Sequence, residues 1–298
     1  MNASIELEPR ARSIALPGRC GAMAAIEMGP ADRPVDIVFS HANGFNGRTY
    51  RSILQPLAGA GAGNLRILAV DLRGHGASTL PAVVEGRDGW AEFRDDLEAL
   101  LAQACTAPVV LAGHSMGGTA SLLAAAAEPM RVRALALFDP VAVPHAQQGD
   151  AAAMNGSALV QGALRRRARF PSHRAAVEAY LGRGGFRTWS EAQVSDYVAA
   201  GFSATADGEV ILTCRPEWEA SNFRSHNYDA WRAFAETRCP IRILCAAQGS
   251  TFRTEGQEAA LAALGDRVKV ETIPGTTHFL PMERPDLVRA TLADCVAL

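Results

Sequence analysis

Ser115 is the residue in this chain whose setting most directly suggests chemistry. It lies in Gly113-His114-Ser115-Met116-Gly117, the Gly-x-Ser-x-Gly form of a nucleophile elbow. In such a turn glycines relieve crowding, so that the chain reverses sharply and holds the hydroxyl out at a strand's end. A serine hydroxyl becomes a useful nucleophile when an imidazole takes its proton and a carboxylate holds that imidazole in one tautomer. The chain has 7 histidines. His278, in Pro274-Gly275-Thr276-Thr277-His278-Phe279-Leu280-Pro281, follows the last predicted strand. His41 and His75 sit in turn-forming loops and read as loop supports, and His114 reads as an elbow side chain facing away from the reaction. His145, His173 and His226 fall in a later helical stretch or at its borders. No histidine or cysteine cluster has metal-ligand spacing, and the chemistry needs neither metal nor cofactor.

Positioning such groups requires strands that end together. Pro108-Val109-Val110-Leu111-Ala112 precedes the elbow and Gly118-Thr119-Ala120-Ser121-Leu122-Leu123 follows it, giving strand, turn and helix. Further apolar runs, mostly without polar alternation, occur at 36–39, 65–70, 135–138, 241–245 and 268–273. Such runs suit strands covered on both faces. Trp90, Phe93, Leu97, Leu100, Leu101 and Ala104 recur at helical spacing. Strand alternating with helix predicts an α/β fold, a mostly parallel doubly wound sheet of about eight strands. From Pro140 to Glu236 the alternation stops. That stretch reads as an inserted, mainly helical cap at 141–236, with helices near Ser172–Leu181 and Ser190–Ala200, leaving 1–140 and 237–298 as the core domain. A helix is expected to begin near Pro285.

Composition narrows the function classes. The 298 residues are 48% hydrophobic, enough for one large core, and the net charge is −2. That balance gives no general attraction to nucleic acid or to an anionic membrane surface. The longest purely apolar runs, such as Leu122 to Ala127, fall far short of the ~20 residues that span a bilayer. Cys20, Cys105, Cys214, Cys239, Cys245 and Cys295 show no paired spacing and read as reduced, mostly buried thiols. The N-terminal Met-Asn-Ala-Ser-Ile-Glu-Leu-Glu carries acids where a signal peptide would be basic and then apolar. A cytoplasmic protein acting on a small molecule is expected, and assembly into a homo-oligomer is compatible with this composition.

The loops after three predicted strands, Ser40-His41-Ala42-Asn43-Gly44-Phe45-Asn46-Gly47, Asp71-Leu72-Arg73-Gly74-His75-Gly76 and the His278 loop, join the elbow in a pattern that resembles the α/β-hydrolase superfamily. Within it, the chain resembles serine hydrolases with a helical cap inserted after the sixth strand. The resemblance runs from about Val35 to the C-terminus. It implies Ser115 as nucleophile, His278 as base, and an oxyanion hole from the backbone N–H groups of Met116 and Asn43. His41-Ala42 stands where the family often has His-Gly, which leaves Gly44 as a competing donor. In many relatives the acid lies just past the strand that is here 241–245, but no carboxylate occurs there until Glu255. The end of the sixth strand is a second site used in the superfamily, and Phe138-Asp139-Pro140 puts a carboxylate there. Asp139 is therefore the expected acid and Glu255 the alternative, although aspartate before proline is also a common turn cap.

The resemblance implies a carboxylic ester hydrolase working through an acyl-enzyme. Thioesterases, monoacylglycerol lipases, carbon–carbon bond hydrolases and perhydrolases share the motifs, and a ligand-binding protein on the same scaffold is the reading outside enzymes. Aromatic residues gather in the cap, among them Phe186, Trp189, Tyr197, Phe202, Trp218 and Phe223. They read mostly as its own small core. Arg165, Arg166, Arg167 and Arg169 read as a solvated helix face, and Asp71 and Arg73 as braces of their loop.

Overall fold

The computed structural model describes residues 8–59, 63–144, 148, 154–225 and 227–298; His145 and His226 lie outside them. The strands are β1 (Arg10–Leu16), β2 (Gly21–Met28), β3 (Ile37–Ser40), β4 (Ile67–Val70), β5 (Val109–His114), β6 (Val132–Phe138), β7 (Arg169–Phe170), β8 (Phe202–Ala204), β9 (Val210–Leu212), β10 (Ile241–Ala246) and β11 (Val268–Ile273). The described helices are α1 (Arg51–Ala58), α2 (Ala91–Ala104), α3 (Met116–Ala127), α4 (Ala158–Leu164), α5 (His173–Tyr180), α6 (Glu191–Gly201), α7 (Pro216–Arg224), α8 (Ala230–Glu236), α9 (Glu258–Ala263), α10 (Leu280–Glu283) and α11 (Pro285–Ala297).

The main sheet has 8 strands in the order β1-β2-β4-β3-β5-β6-β10-β11. Pairing is parallel from β4 to β11, while β1 with β2 and β2 with β4 are antiparallel. Its central strands are buried on both faces, as runs such as Val109-Val110-Leu111-Ala112 require. Alternate residues feed two cores. Val38, Val109 and Leu111 meet Phe93, Leu97 and Leu101 of α2 and the small-residue face of α3. Phe39, Val110 and Ala112 meet Ile53 and Leu54 of α1 and Val288 and Leu292 of α11.

Two features differ from expectation. The β1–β2 hairpin carries no apolar run: β1 is an edge strand with outward charges, and β2 is mostly small residues around a buried Glu27. Arg12 and Arg66 pair with that carboxylate, so the strand tolerates a charge that masks it in the sequence. The stretch between β6 and β10 also holds a three-stranded antiparallel sheet, β7-β9-β8, whose strands of 2 or 3 residues are too short to show a period. The expected helices are present as α5 and α6, each capped by the serine before it, Ser172 and Ser190. No described helix is long and apolar enough to cross a membrane. All 6 cysteines are free, and all but Cys20 are buried.

Candidate active site

Sheet register brings four loops to one rim. Ser40 pairs with Gly113, His114 with Phe138, Phe138 with Leu244 and Ala246 with Ile273. The loops leaving β3, β5, β6 and β11 therefore emerge side by side at the carboxyl ends of parallel strands, the place where open α/β sheets bind ligands.

The elbow is strained and tightly fitted. Ser115 has φ 54° and ψ −123°, a backbone conformation that costs on the order of 1–3 kcal/mol and persists where the surroundings over-determine it. Its N–H donates to the Phe138 carbonyl at 3.0 Å. A Cβ on Gly113 would lie 2.5 Å from the Gly117 carbonyl, and one on Gly117 would lie 2.4 Å from the carbonyl oxygens of Ser40 and His41. The two glycines let α3 turn back directly against β3 and its loop.

Nε2 of His278 lies 3.0 Å from Ser115 Oγ, and its Nδ1 lies 2.6 Å from Asp139 Oδ2. Asp139, also at positive φ (45°), is fully buried. It accepts from the Ala246 N–H at 2.9 Å, the Ser250 hydroxyl at 2.6 Å and the Thr251 N–H at 3.1 Å. Burial pushes this carboxyl up, but the hydrogen bond and charge at His278, with Ser250 and the Ala246 N–H, outweigh burial and hold it below its ordinary range. Glu255 lies exposed on a turn, and the carboxylate at His278 is that of Asp139. Ser250 and Thr251 are the groups that sequence reasoning missed. They occupy the stretch where relatives carry the acid, and the sequence showed only a missing carboxylate there. Glu283 is a second omission: it accepts from the N–H and the hydroxyl of Thr277, both at 2.8 Å, and so pins the loop of His278.

The 41–47 loop is held by buried neutral histidines. His75 Nε2 accepts from the Gly44 N–H at 3.1 Å while Nδ1 donates to the Arg73 carbonyl at 2.9 Å. His41 Nε2 accepts from the Leu72 N–H at 2.9 Å and Nδ1 donates to the Ala42 carbonyl at 2.7 Å. Burial pushes His75 down to about 4 and His41 well below its usual value, so both rings stay uncharged and can accept. Asp71 accepts from the N–H groups of Gly47 and Ala77, and Arg73 pairs with Asp96. With the Gly44 N–H committed to His75, the adjacent N–H of Asn43 is left with no acceptor among the described residues. The N–H of Met116, first residue of α3, has no intrahelical partner.

Aromatic rings wall the rim. Phe45, two residues past Asn43, stacks on Phe279 at 6.2 Å and meets Trp189 edge-on at 5.3 Å and Tyr197 at 5.6 Å. Of the arginine run, Arg165, Arg167 and Arg169 are exposed as expected, but the run lies past the helix rather than on its face, and Arg166 is not solvated. Arg166 lies past the end of α4, its side chain mostly buried, and pairs with Glu219 at 2.6 Å; Arg169 pairs with Asp207 and Glu209.

A parallel sheet of this order, with an elbow serine, a distant histidine and a buried aspartate on one rim, defines an α/β hydrolase. The Alpha/beta hydrolase family model matches residues 37–291, and the chain belongs to that family. It is 25% identical over 257 residues to the 2-(acetamidomethylene)succinate hydrolase of Mesorhizobium japonicum, spanning 85% of this chain and 86% of that protein. The crystal structure of E-2-(acetamidomethylene)succinate hydrolase superimposes with a TM-score of 0.77 at 22% identity, over 97% of this chain and 100% of that one. The thioesterase domain from the curacin biosynthetic pathway gives the same TM-score at 16% identity, again over 97% and 100%. At these identities the structural likeness is one of fold.

Proposed function

We propose that this protein is a serine hydrolase that cleaves a small or medium carboxylic ester through an acyl-enzyme. The observation that carries the proposal is the single imidazole of His278 between Ser115 Oγ and Asp139 Oδ2. Asp139 keeps the proton on Nδ1, which leaves the lone pair of Nε2 for the serine proton. As Oγ bonds to the ester carbonyl carbon, Nε2 takes that proton, and the carbonyl electrons move onto oxygen within reach of the Asn43 and Met116 N–H groups. Donors of this kind contribute on the order of 3 kcal/mol each, because they favour charge that exists only in the transition state. Collapse expels the alcohol with the proton from Nε2, and a water deprotonated by the same nitrogen releases the acid.

The stretch 141–236 serves in this reading as a cap that shapes the acyl or alcohol pocket. Phe45, Phe279, Trp189 and Tyr197 favour an apolar or aromatic group. The carboxylates paired with Arg166 and Arg169 offset the local positive charge, which favours a neutral ester over an anionic one.

An alkyl fluorophosphonate tests the mechanism: covalent labelling is expected in the wild type and absent in Ser115→Ala. A panel of p-nitrophenyl esters of rising chain length, run beside matched thioesters, tests the substrate class. Turnover of thioesters with no turnover of any oxygen ester would overturn the ester assignment, and a wild type that resists the fluorophosphonate would overturn the serine mechanism itself.

A further inference from the structure

Asn222 of α7 is fully buried and touches the 41–47 loop from the side of the inserted segment. Its Oδ1 accepts from Arg87 Nη1 at 2.6 Å, and the same Nη1 reaches Ser221 Oγ at 2.9 Å. The guanidinium lies 4.1 Å over the Trp218 ring and its Nε donates to Glu92, so Arg87 is fixed on three sides. A guanidinium can only donate. The amide of Asn222 must therefore turn its oxygen to Arg87, and its NH₂ is left to donate to Asn43 Oδ1, at 2.7 Å. That choice turns the NH₂ of Asn43 toward the Glu219 carbonyl, which accepts at 3.0 Å. The donor order is thus dictated outward from Arg87, and reversing either amide would set oxygen against oxygen. On the other flank of Asn43, the Gly44 N–H is held by His75.

We propose that Asn222 is a positioning residue for the oxyanion donor at Asn43, so that the Asn43 N–H is aimed at the reacting carbonyl only while α7 is seated against the core. The inference rests on the serine-hydrolase reading above. It assigns to the inserted segment a part in stabilising the transition state, beyond enclosing the substrate. An oxyanion donor acts only when it sits within hydrogen-bond reach of where the charge will form. A peptide whose side chain has lost its clamp spends less time there.

Asn222→Asp tests this with little change of shape. The carboxylate keeps its contact with Arg87 but turns a second oxygen on Asn43 Oδ1, and a flipped Asn43 would face the Glu219 carbonyl with its own oxygen. The rate of fluorophosphonate labelling at Ser115 and kcat on a p-nitrophenyl ester are both expected to fall about tenfold or more, a partial version of losing one donor, with KM within about twofold because the oxyanion is absent from bound substrate. Asn43→Ala keeps the backbone N–H but removes the link, and is expected to lose a similar factor. In that background Asn222→Asp should add nothing, whereas full additivity would place its effect elsewhere and overturn the proposal. Wild-type rates in Asn222→Asp would also overturn it. If that variant does not fold, wild-type rates in Asn43→Ala would do so alone. A wild type that the fluorophosphonate does not label overturns the underlying hydrolase reading, and this inference with it.

Discussion

The hydroxyl of Tyr50 lies 2.7 Å from Nδ1 of His114, and this contact joins the loop after β3 to the loop that carries His278. His114 Nε2 is 2.7 Å from the His278 carbonyl, which can only accept, so the ring proton sits on Nε2 and Nδ1 accepts from Tyr50. The phenol oxygen in turn accepts from the Ala42 N–H at 3.2 Å. Burial and the neighbouring His278 push His114 down to about 3, which keeps this tautomer uncharged. Tyr50→Phe leaves the ring packed on Phe39 but removes the middle of the chain. It is expected to lower stability by about 1–3 kcal/mol through the unpaired Ala42 N–H and His114 Nδ1. A urea midpoint unchanged from wild type would contradict that.

Asp139→Asn and Glu255→Gln separate the two carboxylates named from the sequence. An amide at 139 cannot hold the imidazole in the productive tautomer, and kcat/KM is expected to fall by roughly 10³–10⁴. Glu255→Gln should leave ester turnover within about twofold, since among the described residues Asp139 is the carboxylate at Nδ1 and Glu255 lies exposed. Steady-state rates of the two purified variants decide the assignment.

Gly117→Ala would put a methyl group 2.4 Å from two backbone oxygens of the segment that leads to Asn43. Backbone cannot swing aside as a flexible side chain can. A loss of about 3 kcal/mol in stability is expected, together with loss of fluorophosphonate labelling. Thermal melting and labelling of the same sample check both halves.

Stability should fall with acid at pH values above the ordinary carboxylate range. His41, His75 and His114 are held below their unfolded pKa. Below about pH 6.5 the unfolded chain therefore takes up protons that the native state refuses. Each such histidine removes stability at up to about 1.4 kcal/mol per pH unit from there down to its native value. Asp71 works the other way: burial, partly offset by the Ala77 and Gly47 N–H groups, raises it to about 6, so its cost in the native state is relieved as pH falls from there toward its unfolded value. Three histidines outweigh one aspartate. Urea midpoints are expected to drop steadily from pH 7 to pH 4.5, and a flat profile would contradict the neutral-histidine assignment.

How much of this was legible depended on whether a residue's role is written in its neighbours. Ser115 was readable because its strand, glycines and helix adjoin it in the chain. His278 and Asp139 were readable as residues placed just past apolar runs, and the sheet register then brought both to the serine. Asn222 was not. Its partner Asn43 is 179 positions away, and α7 carries no pattern that sets this asparagine apart. Arg166 looked solvated because a run of like charges normally is, whereas Glu219, which compensates it, arrives from another helix. The β1–β2 hairpin escaped because small residues and a buried ion pair replace the branched apolar residues by which strands are recognised.

The stretch that follows β6 begins at Asp139-Pro140, and past β10 the chain supplies Ala246, Ser250 and Thr251, all hydrogen-bonded to the same aspartate. The end of β6 and the segment after β10 are therefore fastened at one carboxylate, while Trp218 of α7 and Trp231 and Phe234 of α8, which lie between them, pack into the same core as β5, α2 and α3. A chimera that carries a foreign segment there would have to rebuild those core contacts before its elbow could hold its shape. To recover full rate it would also have to import an amide that does for Asn43 what Asn222 does here.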